Sequence, residues 1–346
     1  MNEKQTQEMM IDKPGSSNLN QGKPLITFAI FAYNQEKFIR EAVDGAFAQT
    51  YSPLEIILSD DCSKDKTFEI MEEMANDYIG PHHITLNRNQ NNLGLAGHVN
   101  KVIQLAKGEL IVIASGDDIS MPDRVQMSWN LLNTNIDCSC LSFSTIVFKD
   151  EYTKQNPQLP QVTLCFKYSI EQLIKDPVFH IPGPSRAFRK SVFEMFGPLL
   201  PETPTEDSTI LLRCLLVGSV LKSEQPQVFY RVHGDNYYES NNKYFIDYEK
   251  IHCQYMIDLQ KALDIGLVDN GTFIGVKKSL QKKLHRLKIW SEFNRNNNKL
   301  INFIFSILFS KVFSAKEKKM YFHQALSEIK QLCKERLAKC KQINSQ

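Results

Sequence analysis

KGELIVIASGDDI (residues 107–119) is the stretch from which the rest of the chain can be read. The aliphatic and β-branched run 110–114 has the composition of a strand buried on both faces of a parallel sheet. It passes through Ser115-Gly116 and delivers Asp117 and Asp118 to the C-terminal edge of that sheet, where open α/β folds bind their ligands. Two hard oxygen donors at such an edge suit Mg²⁺ or Mn²⁺, and through the cation a diphosphate. A second reading stays open, because adjacent acids just before Pro122 also suit the start of a following helix.

Upstream, residues 25–31 (LITFAIF) form another buried-strand candidate, which ends in Ala32-Tyr33-Asn34-Gln35. Residues 36–49 then carry Phe38, Ile39, Val43, Ala46 and Phe47 at helical spacing. A strand over 54–58 runs into Ser59-Asp60-Asp61-Cys62-Ser63-Lys64-Asp65, with Asp65 the expected cap of a helix over 66–78. A short strand at 84–86 and a loop at 91–97 lead to a helix over 98–106. Strand and helix alternate from 25 to 114, the pattern of a doubly wound α/β sheet. Two acidic pairs, Asp60-Asp61 and Asp117-Asp118, therefore fall on strand ends of one sheet.

In this order, LITFAIFAYNQEKFIREAVDGAFAQTY, LEIILSDDCSKDKT, NLGLAGHVN and KGELIVIASGDDISMPDRV resemble family 2 of the glycosyltransferases, over residues 23–234. The resemblance implies an α/β GT-A fold, a mixed sheet flanked by helices. It implies inverting transfer of a sugar from a nucleotide sugar, by expectation a UDP-sugar, to a hydroxyl of a glycan or lipid-linked acceptor in bacterial cell-surface polysaccharide synthesis. By the same resemblance Tyr33 and Asn34 lie by the nucleotide base, Asp60 and Asp61 meet the uracil or ribose, and the cation sits on Asp117 and Asp118. A tyrosine face can stack on a pyrimidine, and a carboxylate accepts well from an imide N–H or ribose hydroxyls. Tyr33 as a core aromatic and the Asp60-Asp61 pair as turn stabilisers are the plainer alternatives. One departure from the family pattern is Ser115, which stands where the first acid of the DxD motif belongs. It can hydrogen-bond a ribose or water but adds no charge, leaving Asp117 as principal metal ligand with Asp118 assisting or capping. A second departure is His98, near where relatives carry an arginine; it either reaches a phosphate or opens its helix.

The acceptor half begins with an alternating strand at 141–148 and a polar excursion at 150–160, expected as an exposed loop. PGPSRAFRKSVFEMFG (182–197) and PETPTEDSTILLRCLLVG (201–218) follow, and the second is similar to the family's ED…R…G segment, with Arg213 and Gly218 in place. That similarity gives Asp207 the role of general base. An acceptor hydroxyl must lose its proton as it attacks, and one placed carboxylate suffices. The alternative is an acidic first helical turn favoured by the dipole. In QVFYRVHGDN (227–236), Arg231, His233 or both are candidates for the diphosphate, with a structural histidine as the alternative.

A hydrophobic share of 42% in 346 residues is ample for a core. The expected plan is a disordered leader over 1–23, without the apolar region of a signal peptide; a catalytic domain over 24–240, divided into a nucleotide-binding half (24–120) and an acceptor half (121–240); and a basic helical extension over 241–346. Eight cysteines without a Cys-x-x-Cys pair suit reduced thiols in the cytoplasm rather than a zinc site. The net charge of +2 hides an asymmetry, since residues 271–346 hold 17 basic and 4 acidic side chains. VKKSLQKKLHRLKIW (276–290) and the apolar run 300–309 are too short and interrupted to span a bilayer. Two readings of 276–313 remain: an element lying apolar side down on an anionic membrane, which makes the protein peripheral on the inner face of the plasma membrane, or an appendage packed on the catalytic domain. No nucleic-acid module accompanies the charge. Competing functions are a catalytically impaired binding subunit, which Ser115 keeps open, and a glycoside hydrolase, which turnover without nucleotide sugar would reveal.

Overall fold

The computed structural model describes residues 8–10, 22–149, 164–175, 181, 183–234, 246–295 and 318–319. Its first half is a parallel sheet of β2 (Ile26–Ala32), β3 (Leu54–Asp60), β4 (His83–Arg88) and β5 (Leu110–Ser115), in the order β5-β2-β3-β4. Largely apolar runs form β2, β3 and β5 because both of their faces are covered, whereas the edge strand β4 is more polar and only partly buried. Phe28, Ile30, Ile56, Leu58 and Val112 share a core with α1 (Ile39–Phe47) and α2 (Thr67–Asn76). The alternating residues Ala29, Ile57, Ile111 and Ile113 share the opposite core with α3 (Gly94–Leu105). Helix α3 starts four residues before His98, which therefore lies inside the helix rather than opening it.

Beyond β5 the sheet becomes mixed. The two-residue β6 (Ile119–Ser120) leads to α4 (Arg124–Thr134) and the long β7 (Cys138–Phe148), followed by β8 (Leu164–Tyr168) and α5 (Ile170–Lys175). Strand β9 (Arg186–Arg189) inserts antiparallel between β5 and β7 and so joins the two halves. After α6 (Ser191–Phe196) and α7 (Asp207–Val217), β10 (Ser219–Arg231) runs parallel to β7 and antiparallel to β8 and β6. The pairing with β6 returns the end of β10 to the acidic turn that follows β5.

Glu8–Met10 (β1), within the segment expected to be an unstructured leader, pairs with β8 at the sheet edge. The expected loop at 150–160 and the apolar run 300–309 lie outside the described residues.

The C-terminal region contributes α8 (Tyr248–Asp264) and α9 (Asn270–Arg295). Val276 and Leu280 of α9 are buried in the same core as Leu173 of α5 and Tyr255 and Leu259 of α8, and Ser279 Oγ donates to Leu173 O at 2.9 Å. Along this part of α9 the apolar side is packed on the protein, as in the appendage reading of 276–313. Lys277, Lys278, Lys282 and Lys288 face outward. Among the described residues, no helix is long and apolar enough to cross a membrane.

Candidate active site

The turns after β2 and β3 are stitched together by short polar side chains. Asn34 N–H donates to Ser63 Oγ (2.9 Å) and Lys64 N–H to Asn34 Oδ1 (2.9 Å). Gln35 N–H donates to Thr67 Oγ1 (2.7 Å), Glu36 N–H to Asp65 Oδ2 (3.1 Å) and Lys66 N–H to Glu36 Oε2 (3.0 Å). Asp65 does accept the first N–H of α2, from Thr67 at 3.0 Å, although the helix starts two residues after it. Asn34 (φ 52°) adopts the left-handed region, where asparagine is among the least penalised of residues with a Cβ. Tyr33 stands 42% exposed at this edge and is no core aromatic.

The second turn spends its acids inward. Buried Asp60 accepts the Ser63 N–H (2.9 Å) and hydroxyl and lies 3.7 Å from Arg88 Nε. Asp61 accepts Asn89 Nδ2 (2.8 Å) and Leu93 N–H (2.9 Å) on Oδ1, and Gly94 N–H (3.0 Å) on Oδ2, anchoring the start of α3. His98 is buried beneath this turn with Nε2 2.7 Å from Ser59 Oγ. Burial lowers its pKa, against the opposing charges of Asp61 and Asp60.

The acidic turn after β5 is built differently. Ser115 hydrogen-bonds Asp117 Oδ1, and Gly116 N–H donates to Phe31 O at 2.9 Å. A side chain at Gly116 would run into Gln35, Ile39 and Ala32. Asp117 Oδ2 lies 3.1 Å from His233 Nε2, and the His233 ring is tilted against Phe38 at 4.5 Å. Asp118 is buried, and its Oδ1 accepts Arg231 N–H at 2.9 Å. Its Oδ2 has no hydrogen-bond partner among the described residues. Burial first, and then the Asp117 charge, push the Asp118 carboxyl well above the usual range, against the pull of Arg231 and Arg124. The Arg231 guanidinium lies between Phe38 (4.9 Å) and Phe148 (4.5 Å), pairs with Glu41 and donates from Nε to Asp117 O at 3.1 Å.

Asp207 opens α7. Arg186 clasps it: Nη1 donates to Asp207 O, Nη2 donates to Ile181 O, and Nη2 stands 3.7 Å from Asp207 Oδ1. Gly183 lies so close that a methyl group there would collide with the Asp207 carboxylate. Neighbouring Glu206 is held well above its ordinary pKa by burial, then by the charge of Asp207 and a hydrogen bond to it. The two carboxylate stations are joined by Arg124, which is fully buried at the start of α4. It donates to Ser120 Oγ (2.8 Å) beside the acidic turn, to Ile113 O (2.6 Å), and to Pro184 O (2.6 Å) beside Gly183. Burial pushes its pKa down to about 9, opposed by the Asp118 charge. Arg124, Arg186 and Glu41 carried no sequence signal of their own, because each acts on groups distant in the chain.

Residues 27–197 match the family described as Glycosyl transferase family 2. This segment belongs to that family. An uncharacterized glycosyltransferase of Methanocaldococcus jannaschii is 31% identical over 131 residues, 37% of this chain and 44% of that protein. The chain spans about half the length of the curated relatives it matches. The family 2 segment sits in a fold shared with S. aureus TarS 1-349 in complex with UDP-GlcNAc (TM-score 0.57, 14% identity, 83% of this chain and 76% of that one). It is shared as well with the mannosyltransferase PcManGT from Pyrobaculum calidifontis in complex with GDP-Man and Mn²⁺ (TM-score 0.54, 17% identity, 89% and 81%). The expected GT-A architecture, a mixed sheet with flanking helices, is therefore present.

Proposed function

We propose that the protein is an inverting glycosyltransferase that moves a sugar from a nucleotide sugar, a UDP-sugar, to a hydroxyl of a glycan or lipid-linked acceptor in the synthesis of cell-surface polysaccharide. The observation that carries this reading is the pairing of Asp117 with His233 at the end of β5, joined through Arg124 to the segment that underlies Asp207. UDP-GlcNAc in TarS, and GDP-Man with Mn²⁺ in PcManGT, support the donor class on the same architecture.

The carboxylates of the acidic turn suit a Mg²⁺ or Mn²⁺ ion. Asp117 Oδ2 and His233 Nε2 converge, and the unpartnered Asp118 Oδ2 carries a burial cost that a neighbouring cation would relieve. Among the described residues no three His, Cys, Asp or Glu side chains gather into a metal site, so Asp117 and Asp118 would hold the ion from the protein side, and when bound it supplies positive charge to the departing diphosphate. Ser115, bonded to Asp117, orients that ligand without adding charge.

Tyr33 offers its exposed ring to the base. Asn34, Asp60 and Asp61 shape the turns that receive the uracil and ribose. Asp207 takes the acceptor proton as the hydroxyl attacks the anomeric carbon opposite the leaving group, which inverts the centre. Arg186 and Glu206 both engage Asp207 and hold it at the start of α7. The outward lysines of α9 suit anionic headgroups, and so a position on the inner face of the plasma membrane where a lipid-linked acceptor is within reach.

A panel of nucleotide sugars, each with and without Mn²⁺, tests the reading through released nucleoside diphosphate and transferred sugar. Turnover of at least one UDP-sugar, lost on chelation, is expected. UDP binding without turnover of any donor would make the protein a binding subunit, the reading that the uncharged Ser115 favours.

A further inference from the structure

Asp207 is the first residue of α7, and Arg213 lies six residues later, about 9 Å along the helix axis. Arg213 is fully buried and meets Asp258 of α8 through two bonds, Nε to Oδ2 at 2.8 Å and Nη2 to Oδ1 at 2.9 Å. Its remaining donors reach the carbonyls that follow α6: Nη1 to Gly197 O at 2.7 Å and Nη2 to Pro198 O at 3.3 Å. Gln254, one turn before Asp258, donates to Asp258 Oδ1 at 2.9 Å and accepts Leu200 N–H at 2.7 Å. The adjacent Leu199 exchanges two 2.8 Å bonds with the Asn100 amide on α3. That helix is the one whose first N–H groups hold Asp61.

A continuous line of polar contacts thus runs from the donor-side turn through α3, residues 199–200 and α8 to the helix that begins with Asp207. A buried ion pair is a poor device for stability, since apolar residues of equal volume do as well or better. What a two-bond guanidinium–carboxylate pair does supply is a fixed plane and distance. On α7, that fixes both rotation about the axis and position along it.

We propose that Asp258 is a positioning residue for Asp207: through Arg213 it sets the base-bearing helix, and through Gln254 and Asn100 it ties that setting to the donor half. The inference rests on Asp207 being the base, and it assigns a part in the reaction to α8, which lies beyond the family-matched segment 27–197.

The test is a double-mutant cycle in the full-length protein with Asp258→Asn, Asp207→Asn and the pair, reading kcat and KM for transfer, UDP affinity and the thermal melt. Asp258→Asn alone is expected to lower kcat roughly ten- to a hundredfold with UDP affinity unchanged, as a misplacement of up to about 1 Å does. In the Asp207→Asn background it should cost nothing further, because the group it positions is already gone. Losses that multiply, or a fall in UDP affinity in step with kcat, overturn the proposal and make Asp258 a general structural residue. Transfer retained by Asp207→Asn alone overturns the base assignment first, and the proposal with it. Should Asp258→Asn fail to fold, Gln254→Met cuts the same line without stranding a buried charge. The same cycle then decides, with a severalfold fall in kcat expected and a multiplying loss overturning the proposal.

Discussion

In the half proposed to take the donor, the turns after β2 and β3 are held by short side chains on backbone groups about thirty positions away, as Asn34 is with Ser63 and Lys64, and Asp61 with Leu93 and Gly94. In the half proposed to take the acceptor the fastening is done by buried arginines. Arg186 clasps Asp207, Arg213 reaches 45 positions to Asp258, and Arg231 reaches 190 positions to Glu41. A short hydroxyl, amide or carboxylate reaches only groups close to its own backbone, whereas a guanidinium on a long stem offers five donors in a rigid fork and can gather carbonyls from several elements. The donor side is therefore specified loop by loop, and the acceptor side by a few residues that each carry much of the geometry.

The comparison is tested most severely at Asp207. Asp207→Asn should leave the fold and UDP affinity intact and lower transfer by roughly 10²–10⁴, the scale of general-base removal; lost UDP affinity with transfer intact per bound donor would reduce Asp207 to an acidic first turn. On the donor side, Asp117→Asn should cost roughly a hundredfold in donor turnover and weaken Mn²⁺ activation. Near-normal turnover with an unchanged Mn²⁺ requirement would place the ion elsewhere. Replacing Lys277, Lys278 and Lys282 with Gln should weaken binding to anionic vesicles at low salt by about a hundredfold, at roughly 1 kcal/mol per lysine near the surface, and leave turnover of a soluble acceptor unchanged. Vesicle binding that ignores these changes would assign α9 to the protein alone.

The smallest effect sharpens the donor side. Burial holds the His98 pKa below its ordinary 6.5, so the unfolded chain takes up the proton first as pH falls. Its contribution to stability is complete above about pH 6.5 and declines below it. Denaturation midpoints of His98→Gln compared with the parent protein from pH 7.5 to 5.5 should show a shallower decline in the variant. Parallel curves would mean that the folded and unfolded states bind this proton equally.

The strands β2, β3 and β5 were legible because continuous aliphatic runs ending in polar turns leave few alternatives, and their ends shifted by no more than two residues. The acidic turns were legible for the same reason. His98 misled because Leu93-Gly94 supplies the real start of α3, with Gly94 at φ 69° and its N–H on Asp61. The partner of Arg213 was invisible, since Asp258 sits among ordinary polar residues of α8 and nothing local marks it as buried. The lysine-rich stretch of α9 was ambiguous for a physical reason: an amphipathic helix reads alike whether lipid or protein covers its apolar side, and Val276 and Leu280 turn toward α5 and α8.

The Arg213–Asp258 pair also has a consequence in time. A chain made from its N-terminus completes β2 to β5 early, with the hydrogen-bond partners of the turns after β2 and β3 already synthesised. Arg213 has no counter-charge until Asp258 has been added, 45 residues later. At about 5–20 residues per second, that delay lasts roughly two to nine seconds. Over that interval the nascent acceptor half must keep the guanidinium in water or lodge it unpaired, and the apolar faces of α6 and α7 wait with it for α8.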